Sequence, residues 1–166
     1  MGTGGTVSGT GRFLKEKKPS MKVLGVDPIG SLYYEYIKTG RLTRPFSYYV
    51  EGIGEDFLPS TMNLDILDDI VQVDDRECFM MTREIVRREG LFIGGSCGAA
   101  VMGAIKYART LPQPKRFLVL MPDSASLYLS KVFNDDWMRQ NGFLDAPGDT
   151  GTVAHILKRQ PRKVVT

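Results

Sequence analysis

The chain has 166 residues, 42% of them hydrophobic, and a formal net charge of +3. Two cysteines and one histidine exclude a disulfide framework and a histidine-based metal or catalytic site. The basic residues are spread along the chain and no apolar run approaches about 18 residues, so we expect a cytoplasmic protein that binds neither nucleic acid nor a membrane.

The chain opens with Gly2-Thr3-Gly4-Gly5-Thr6, and two more glycines follow within residues 7–11. Glycines let the backbone turn several N–H groups toward one point, and the threonines add hydroxyl donors. The next segment, Arg12 to Lys18, predicts a helix that Pro19 ends. Such a turn leading into a helix N-terminus predicts an anion site, with phosphate as the usual occupant.

This glycine-rich stretch has three other possible interpretations: a nucleoside-triphosphate loop, a dinucleotide-binding turn and a flexible linker. A nucleoside-triphosphate loop would require a Lys followed by Ser or Thr, and this pair is absent. A dinucleotide fingerprint is disfavoured by Val7 and by the distance to Asp27, the candidate ribose-binding acid. A flexible linker stays open, although the threonines and the following helix argue against it.

Strand and helix signals alternate after this stretch. Met21 to Asp27 predicts a buried parallel strand, and Ser31 to Lys38 predicts a short helix that ends at Gly40. An extended segment, Phe46 to Glu51, follows. It leads into a second glycine motif.

The second motif is Gly52-Ile53-Gly54, followed by Glu55. Glycines that bracket one apolar residue after an extended segment mark a turn at which backbone can approach a ligand closely. A plain turn is at least as well supported by the local sequence.

The middle of the chain predicts a strand at Ile70–Val73 and then a helix. Asp74 and Glu77 form a capping box at its start, and Gly90 ends it. Further on, Ser96 within Gly94-Gly95-Ser96-Cys97-Gly98 is predicted to be the N-cap of a buried helix, 99–109. A ligand contact for Ser96 is equally consistent with the pattern.

The last third predicts a strand at Arg116–Met121 that carries Pro122-Asp123-Ser124 at its carboxyl end, and then a short helix at Asp135–Gln140. Residues 145–151 are predicted to be a linker, and 152–158 to begin a new amphipathic helix. The alternation of strands and helices predicts a mainly parallel α/β sheet. Because a phosphate turn normally follows a strand, we expect the domain to be incomplete at its N-terminus.

Five motifs together resemble the cystathionine β-synthase/cysteine synthase family of pyridoxal-phosphate (PLP) enzymes, fold type II. They are Gly2–Thr6, the Gly-Val-Asp-Pro at 25–28, Val50-Glu51-Gly52-Ile53-Gly54, Gly94-Gly95-Ser96 and Pro122-Asp123-Ser124. The Pro-Asp-Ser, together with Asp136-Trp137-Met138 and Gly142-Phe143-Leu144, favours the cystathionine β-synthase branch. The resemblance implies that 1–144 is the C-terminal part of the catalytic domain, and that 152–166 begins a regulatory CBS-type module.

The resemblance also implies the roles of the candidate site residues. Gly2, Thr3, Gly4, Gly5 and Thr6 would hold the PLP phosphate, and Ser96 would face the pyridine nitrogen. Gly52 and Gly54 would line the substrate side. Glu55 stands where a tyrosine is usual in the family, so we suggest for it only a contact with the ammonium of the second substrate.

The implied reaction is β-replacement on L-serine by homocysteine, which gives cystathionine for cysteine biosynthesis by transsulfuration. Cysteine synthesis from O-acetylserine and sulfide is the alternative, and a non-catalytic phosphate-binding fragment is another. The Schiff-base lysine of the family is expected upstream, so we predict that this chain has no catalytic residue of its own and is inactive alone. The family also implies a homodimer or higher homo-oligomer.

Overall fold

The computed structural model describes residues 1–145. The predicted linker beyond Asp145 and the predicted regulatory module lie outside the described residues. The helices are α1 (Gly5–Lys17), α2 (Tyr33–Thr39), α3 (Asp75–Glu89), α4 (Gly95–Ala108) and α5 (Asp135–Gln140), and the strands are β1 (Leu24–Pro28) and β2 (Asp69–Val73). Short 3₁₀ turns cover Leu64–Ile66 and Ala125–Tyr128.

The two strands form a parallel pair in which Leu24 lies opposite Asp69 and Pro28 opposite Val73. Helix α4 packs on both strands and on α3. It comes close to β1 at Gly103, where an added Cβ would lie 2.4 Å from Val26 Cγ2. These elements confirm the predicted α/β class, although in the described part of the chain the sheet has two strands.

The largest buried cluster joins the helices to the segment before the second glycine motif. Its fully buried members are Val50, Val73, Cys78, Phe79, Ala99, Val132, Met138 and Phe143. Since it draws on α3, α4 and α5 together, it holds the carboxyl end of the sheet against the last helix.

Several local predictions are confirmed at the helix ends. The Asp74–Glu77 capping box is present in both directions, and Gly90 ends α3 in the left-handed conformation. Gly40 ends α2 in the same way. These signals depend on residues three or four positions apart, which is why the sequence predicts them well.

Helix α1 begins at Gly5, well before the predicted start at Arg12. Glycines within a helix each cost about 0.5–1 kcal/mol relative to alanine, and packing offsets this cost here. Gly11 is buried, and a Cβ on it would lie 2.9 Å from Ile66 Cγ1. Gly11 therefore allows a close contact of the helix with Ile66, whereas nothing lies within 4 Å of a Cβ added to Gly5 or Gly9.

The predicted strand at Arg116–Met121 is wrong. No described residue pairs with this segment, and Leu118 is 83% exposed. A strand needs a neighbouring strand for its backbone hydrogen bonds, and the two-stranded sheet does not extend to it. Within residues 1–145, no helix is both long and apolar enough to cross a bilayer.

Candidate functional site

An open cleft of about 470 Å³ brings together the two glycine motifs of the sequence. Its lining residues are Gly2, Thr3, Tyr48 and the segment 50–55. The two walls touch: a Cβ added to Gly2 would lie 3.1 Å from the Gly52 carbonyl oxygen and 3.8 Å from Glu55 Oε1. Residues some fifty positions apart, predicted from separate patterns, therefore share one cleft.

The first wall is formed by Gly2 and Thr3, whereas Gly4, Gly5 and Thr6 do not line the cleft and lie at the start of α1. Gly4 is its N-cap at φ 87°, and an added Cβ would lie 2.6 Å from Met62 Cα, so a glycine is required there. The first hydrogen bond of the helix runs from the Ser8 N–H to the Gly4 carbonyl at 2.9 Å. The N–H groups at positions 5–7 thus have no acceptor within the helix. No acidic residue lies in this first turn, so the free donors and the helix dipole together fit an anion.

The second wall is the turn over Gly52–Glu55. Gly52 and Gly54 have φ values of 79° and 80°. A Cβ on Gly54 would lie 2.3 Å from Tyr48 Oη and 2.6 Å from Pro28 Cγ. A side chain and the sheet thus pack against the backbone at Gly54, whereas nothing lies within 4 Å of a Cβ added to Gly52.

Ser96 lies in a different place from the one predicted. Gly94 is the N-cap of α4, and Ser96 is in the first helical turn, so the predicted N-cap role is wrong. Its buried hydroxyl lies 3.4 Å from Asp123 Oδ1 and does not line the cleft.

The Asp123 carboxylate also accepts hydrogen bonds from Cys97 Sγ at 3.2 Å and from Tyr128 Oη at 2.5 Å. Burial raises the pKa of the Cys97 thiol, and the bond to Asp123 raises the pKa of Tyr128. Both groups therefore stay protonated near neutral pH. They can serve as hydrogen-bond donors to Asp123 but not as nucleophiles.

The sequence analysis missed the roles of Ser31, Tyr33 and Asp27 near the cleft. The Glu55 N–H donates to Ser31 Oγ at 3.0 Å, and Tyr33 Oη donates to the Gly2 carbonyl at 2.8 Å. Asp27 is fully buried at the carboxyl end of β1, where its Oδ2 accepts from the Tyr34 N–H at 3.0 Å. The signal in the sequence is a carboxylate at the end of a buried strand, within the Gly-Val-Asp-Pro motif at 25–28.

The cleft lining contains no lysine among the described residues. In the same part of the chain, no group of three or more His, Cys, Asp or Glu side chains could hold a metal ion. The ionisable side chains in the lining are those of Tyr48, Glu51 and Glu55.

The sequence matches the family described as "Pyridoxal-phosphate dependent enzyme" over residues 1–123. The chain belongs to this family. Its cofactor is pyridoxal 5'-phosphate, as the resemblance of the motifs implied. The phosphate of PLP is an anion of the kind that the start of α1 fits.

Named relatives refine this assignment. The chain is 42% identical to a cystathionine beta-synthase of Dictyostelium discoideum over 144 residues, and 43% identical to that of Mus musculus over 143 residues. It is 41% identical to a cysteine synthase of Helicobacter pylori over 132 residues. These matches cover 87%, 86% and 79% of the chain but 28%, 25% and 40% of the relatives. The chain thus spans about a quarter to two fifths of their length.

Proposed function

We propose that this chain forms the phosphate-holding and substrate-side parts of a PLP-dependent enzyme that exchanges the β-hydroxyl of L-serine for the thiol of homocysteine, giving cystathionine. The observation that carries the proposal is the shared cleft, in which Gly2 and Thr3, directly before α1 and its free N–H groups at positions 5–7, meet the Gly52–Glu55 turn. The identity of 42–43% to several cystathionine beta-synthases supports the choice of reaction.

The proposed roles follow from the donors that each segment offers. The N–H groups at positions 5–7, with the Thr3 and Thr6 hydroxyls, bind the phosphate oxygens. When bound, PLP supplies an electron sink for cleavage of bonds at the amino acid. Gly52 and Gly54 admit the substrate close to the backbone, and Ser96 accepts or donates a hydrogen bond at the pyridine nitrogen.

The Asp123 carboxylate affects the role proposed for Ser96. To donate a hydrogen bond to an unprotonated pyridine nitrogen, the Ser96 hydroxyl would have to exchange its bond to Asp123 for one to the ring, since it has a single proton. As a neutral group, it does not fix a proton on the ring, which suits β-replacement better than transamination. The lysine that carries the cofactor in this family is proposed to come from sequence outside these 166 residues, so the chain alone is predicted to be inactive.

A binding titration tests the phosphate site directly. We expect the 166-residue chain to bind PLP at least tenfold more tightly than pyridoxal, roughly the effect of one or two charge-assisted hydrogen bonds. Thr6→Val removes a hydroxyl at the start of α1 and should weaken PLP binding about fivefold, which equilibrium dialysis can measure.

The matched control is Thr10→Val, an exposed position on the same helix, which should leave the affinity unchanged. Equal affinities for PLP and pyridoxal would rule out the phosphate site. Borohydride treatment followed by mass spectrometry checks the lysine prediction. A stoichiometric PLP adduct on one lysine of this chain would contradict it.

The reaction itself is tested in a complete enzyme that contains these residues. We expect serine with homocysteine to be the better pair, and a clear preference for O-acetylserine with sulfide would favour the alternative, cysteine synthesis, which the Helicobacter pylori relative supports. In the same assay Glu55→Gln should raise the KM for homocysteine. An unchanged KM would remove the ammonium contact proposed for Glu55.

A further inference from the structure

The two walls of the cleft are both attached to a short segment that neither motif contains. We call this segment, Ser31, Leu32 and Tyr33, the 31–33 turn. It lies between β1 and the body of α2, and all three residues are buried, with Tyr33 fully so. Since these side chains do not line the cleft, they can act on a ligand only through the segments that do.

The 31–33 turn holds the substrate-side wall by its backbone. Ser31 Oγ accepts from the Glu55 N–H at 3.0 Å and lies 3.3 Å from the Glu55 carbonyl oxygen. The Leu32 N–H donates to the same carbonyl at 3.1 Å. Both polar backbone groups of Glu55 are therefore satisfied by the turn.

The same turn holds the phosphate-side wall by one side chain. Tyr33 Oη donates to the Gly2 carbonyl at 2.8 Å. Its pKa is raised, chiefly by burial, so the phenol stays protonated and remains a donor at neutral pH. One buried element thus ties Gly2 and Glu55 together, beside a direct bond between the neighbouring residues, in which the Gly54 N–H donates to the Met1 carbonyl at 2.6 Å.

We propose that Ser31 and Tyr33 are positioning residues that couple the phosphate-holding segment to the substrate-side turn. The proposal deepens the proposed function and rests on it for the identity of the ligands. By linkage, a ligand that orders one wall of the cleft also orders the other wall. Loss of the bond from Tyr33 to Gly2, or of the bond between Ser31 and Glu55, loosens both walls. The coupling itself is a property of the free chain.

Amide hydrogen exchange of the ligand-free 166-residue chain tests this coupling. Tyr33→Phe removes the bond to Gly2 and leaves the bonds to Glu55 in place. We expect exchange of the Glu55 amide to become about fivefold faster, the usual effect of losing one buried hydrogen bond. The Thr82 amide, buried in α3, should keep its rate.

Tyr34→Phe is the matched control, because within the described residues its hydroxyl makes no hydrogen bond. It should leave the Glu55 rate unchanged. An unchanged Glu55 rate in Tyr33→Phe would overturn the proposal. Equal acceleration at Glu55 and Thr82 would also overturn it, since this would show general destabilisation in place of local coupling.

Ser31→Ala tests the coupling in the opposite direction and keeps the proposal falsifiable if Tyr33→Phe does not fold. It should accelerate exchange of the Ser8 amide, which is bonded to Gly4 directly after the phosphate-side wall. Ser31→Thr retains the hydroxyl and should restore the native rate. Failure of Ser31→Ala to move the Ser8 amide would overturn the proposal.

A second arm adds PLP at saturation. We expect slower exchange at the Glu55 amide in the native chain, and a smaller change in Tyr33→Phe. If PLP binds but leaves the exchange rate of the Glu55 amide unchanged, the proposed coupling is overturned. If PLP does not bind at all, the proposed function fails, and the ligand-free comparison still decides the coupling.

Discussion

Asp27 shows what one buried carboxyl contributes beside the cleft. It closes β1, is fully buried, and has one oxygen, Oδ1, without a hydrogen-bond partner among the described residues. Burial raises its pKa to about 6 from an ordinary value of 3.8, while the Ser31 hydroxyl and the Tyr34 N–H act in the opposite direction. The folded chain therefore favours the protonated form of this carboxyl.

Stability should consequently depend on pH through this residue. The stabilisation from protonation of Asp27 is complete below about pH 4 and is lost as the pH rises through 6, because the unfolded chain ionises more readily. Asp27→Asn removes the titration and keeps the shape. We expect the free energy of unfolding of the variant, relative to that of the native chain, to rise by up to about 3 kcal/mol between pH 4 and pH 7. Urea denaturation measures this difference.

The control for this measurement is Asp56→Asn, which alters an exposed carboxyl close to the same cleft. Its free energy of unfolding should parallel that of the native chain across the pH range. A constant difference between Asp27→Asn and the native chain at all pH values would contradict the assignment of the raised pKa to Asp27.

At the scale of elements, the contact between α3 and α4 depends on a missing side chain. A Cβ on Gly98 would lie 2.1 Å from Thr82 Oγ1 and 2.3 Å from the Cys78 carbonyl oxygen. Thr82 is itself fixed, since its hydroxyl donates to that same carbonyl at 2.8 Å. The close approach of the two helices therefore leaves no space for a methyl group.

The same substitution should have opposite effects in two helices. Gly98→Ala should lower the free energy of unfolding by about 1–3 kcal/mol through overpacking. Gly9→Ala in α1, where nothing lies within 4 Å of the new Cβ, should raise it by about 0.5–1 kcal/mol through helix propensity. Chemical denaturation of the two variants measures both values.

The opposite signs make each variant a control for the other. If Gly98→Ala proved as stabilising as Gly9→Ala, the close contact between α3 and α4 would be refuted. If both were destabilising, the helical conformation of α1 at Gly9 would be in question, and with it the early start of that helix.

At the scale of the whole molecule, the segment 116–121 is a prominent exposed apolar feature of residues 1–145. Leu118 is 83% and Leu120 49% exposed, while Val119 between them is partly buried. Alternate residues of an extended segment share one face. An exposed apolar face next to unpaired backbone groups promotes association between chains.

We expect the chain to associate as its concentration rises, with a midpoint that sedimentation velocity can measure. Replacing both leucines, as Leu118→Glu with Leu120→Glu, should shift association to at least tenfold higher concentration, because charges on an edge oppose pairing. Leu42→Glu, which alters a separate exposed leucine, should have no such effect. A native chain that stays monomeric at all accessible concentrations would refute this interpretation.

Much of the local structure could be predicted from the sequence. The capping box at Asp74, the left-handed glycines at the ends of α2 and α3, and the alternation of strands and helices depend on neighbours within a few positions. The five motifs in their order were also sufficient to indicate the PLP family, which the family match over residues 1–123 confirms. Glycine is required at Gly4 and Gly54 by close contacts within the protein, with Met62 and with Tyr48 and Pro28.

The tertiary structure alone decided how these parts combine. Whether Arg116–Met121 becomes a strand depends on a neighbour that no local pattern supplies, and the start of α1 depends on packing of Gly11 against Ile66. The bonds from Tyr33 to Gly2 and from Ser31 to Glu55 join residues 31 and 24 positions apart. Contacts at such separations are created by folding, because the chain between them must first be brought back on itself.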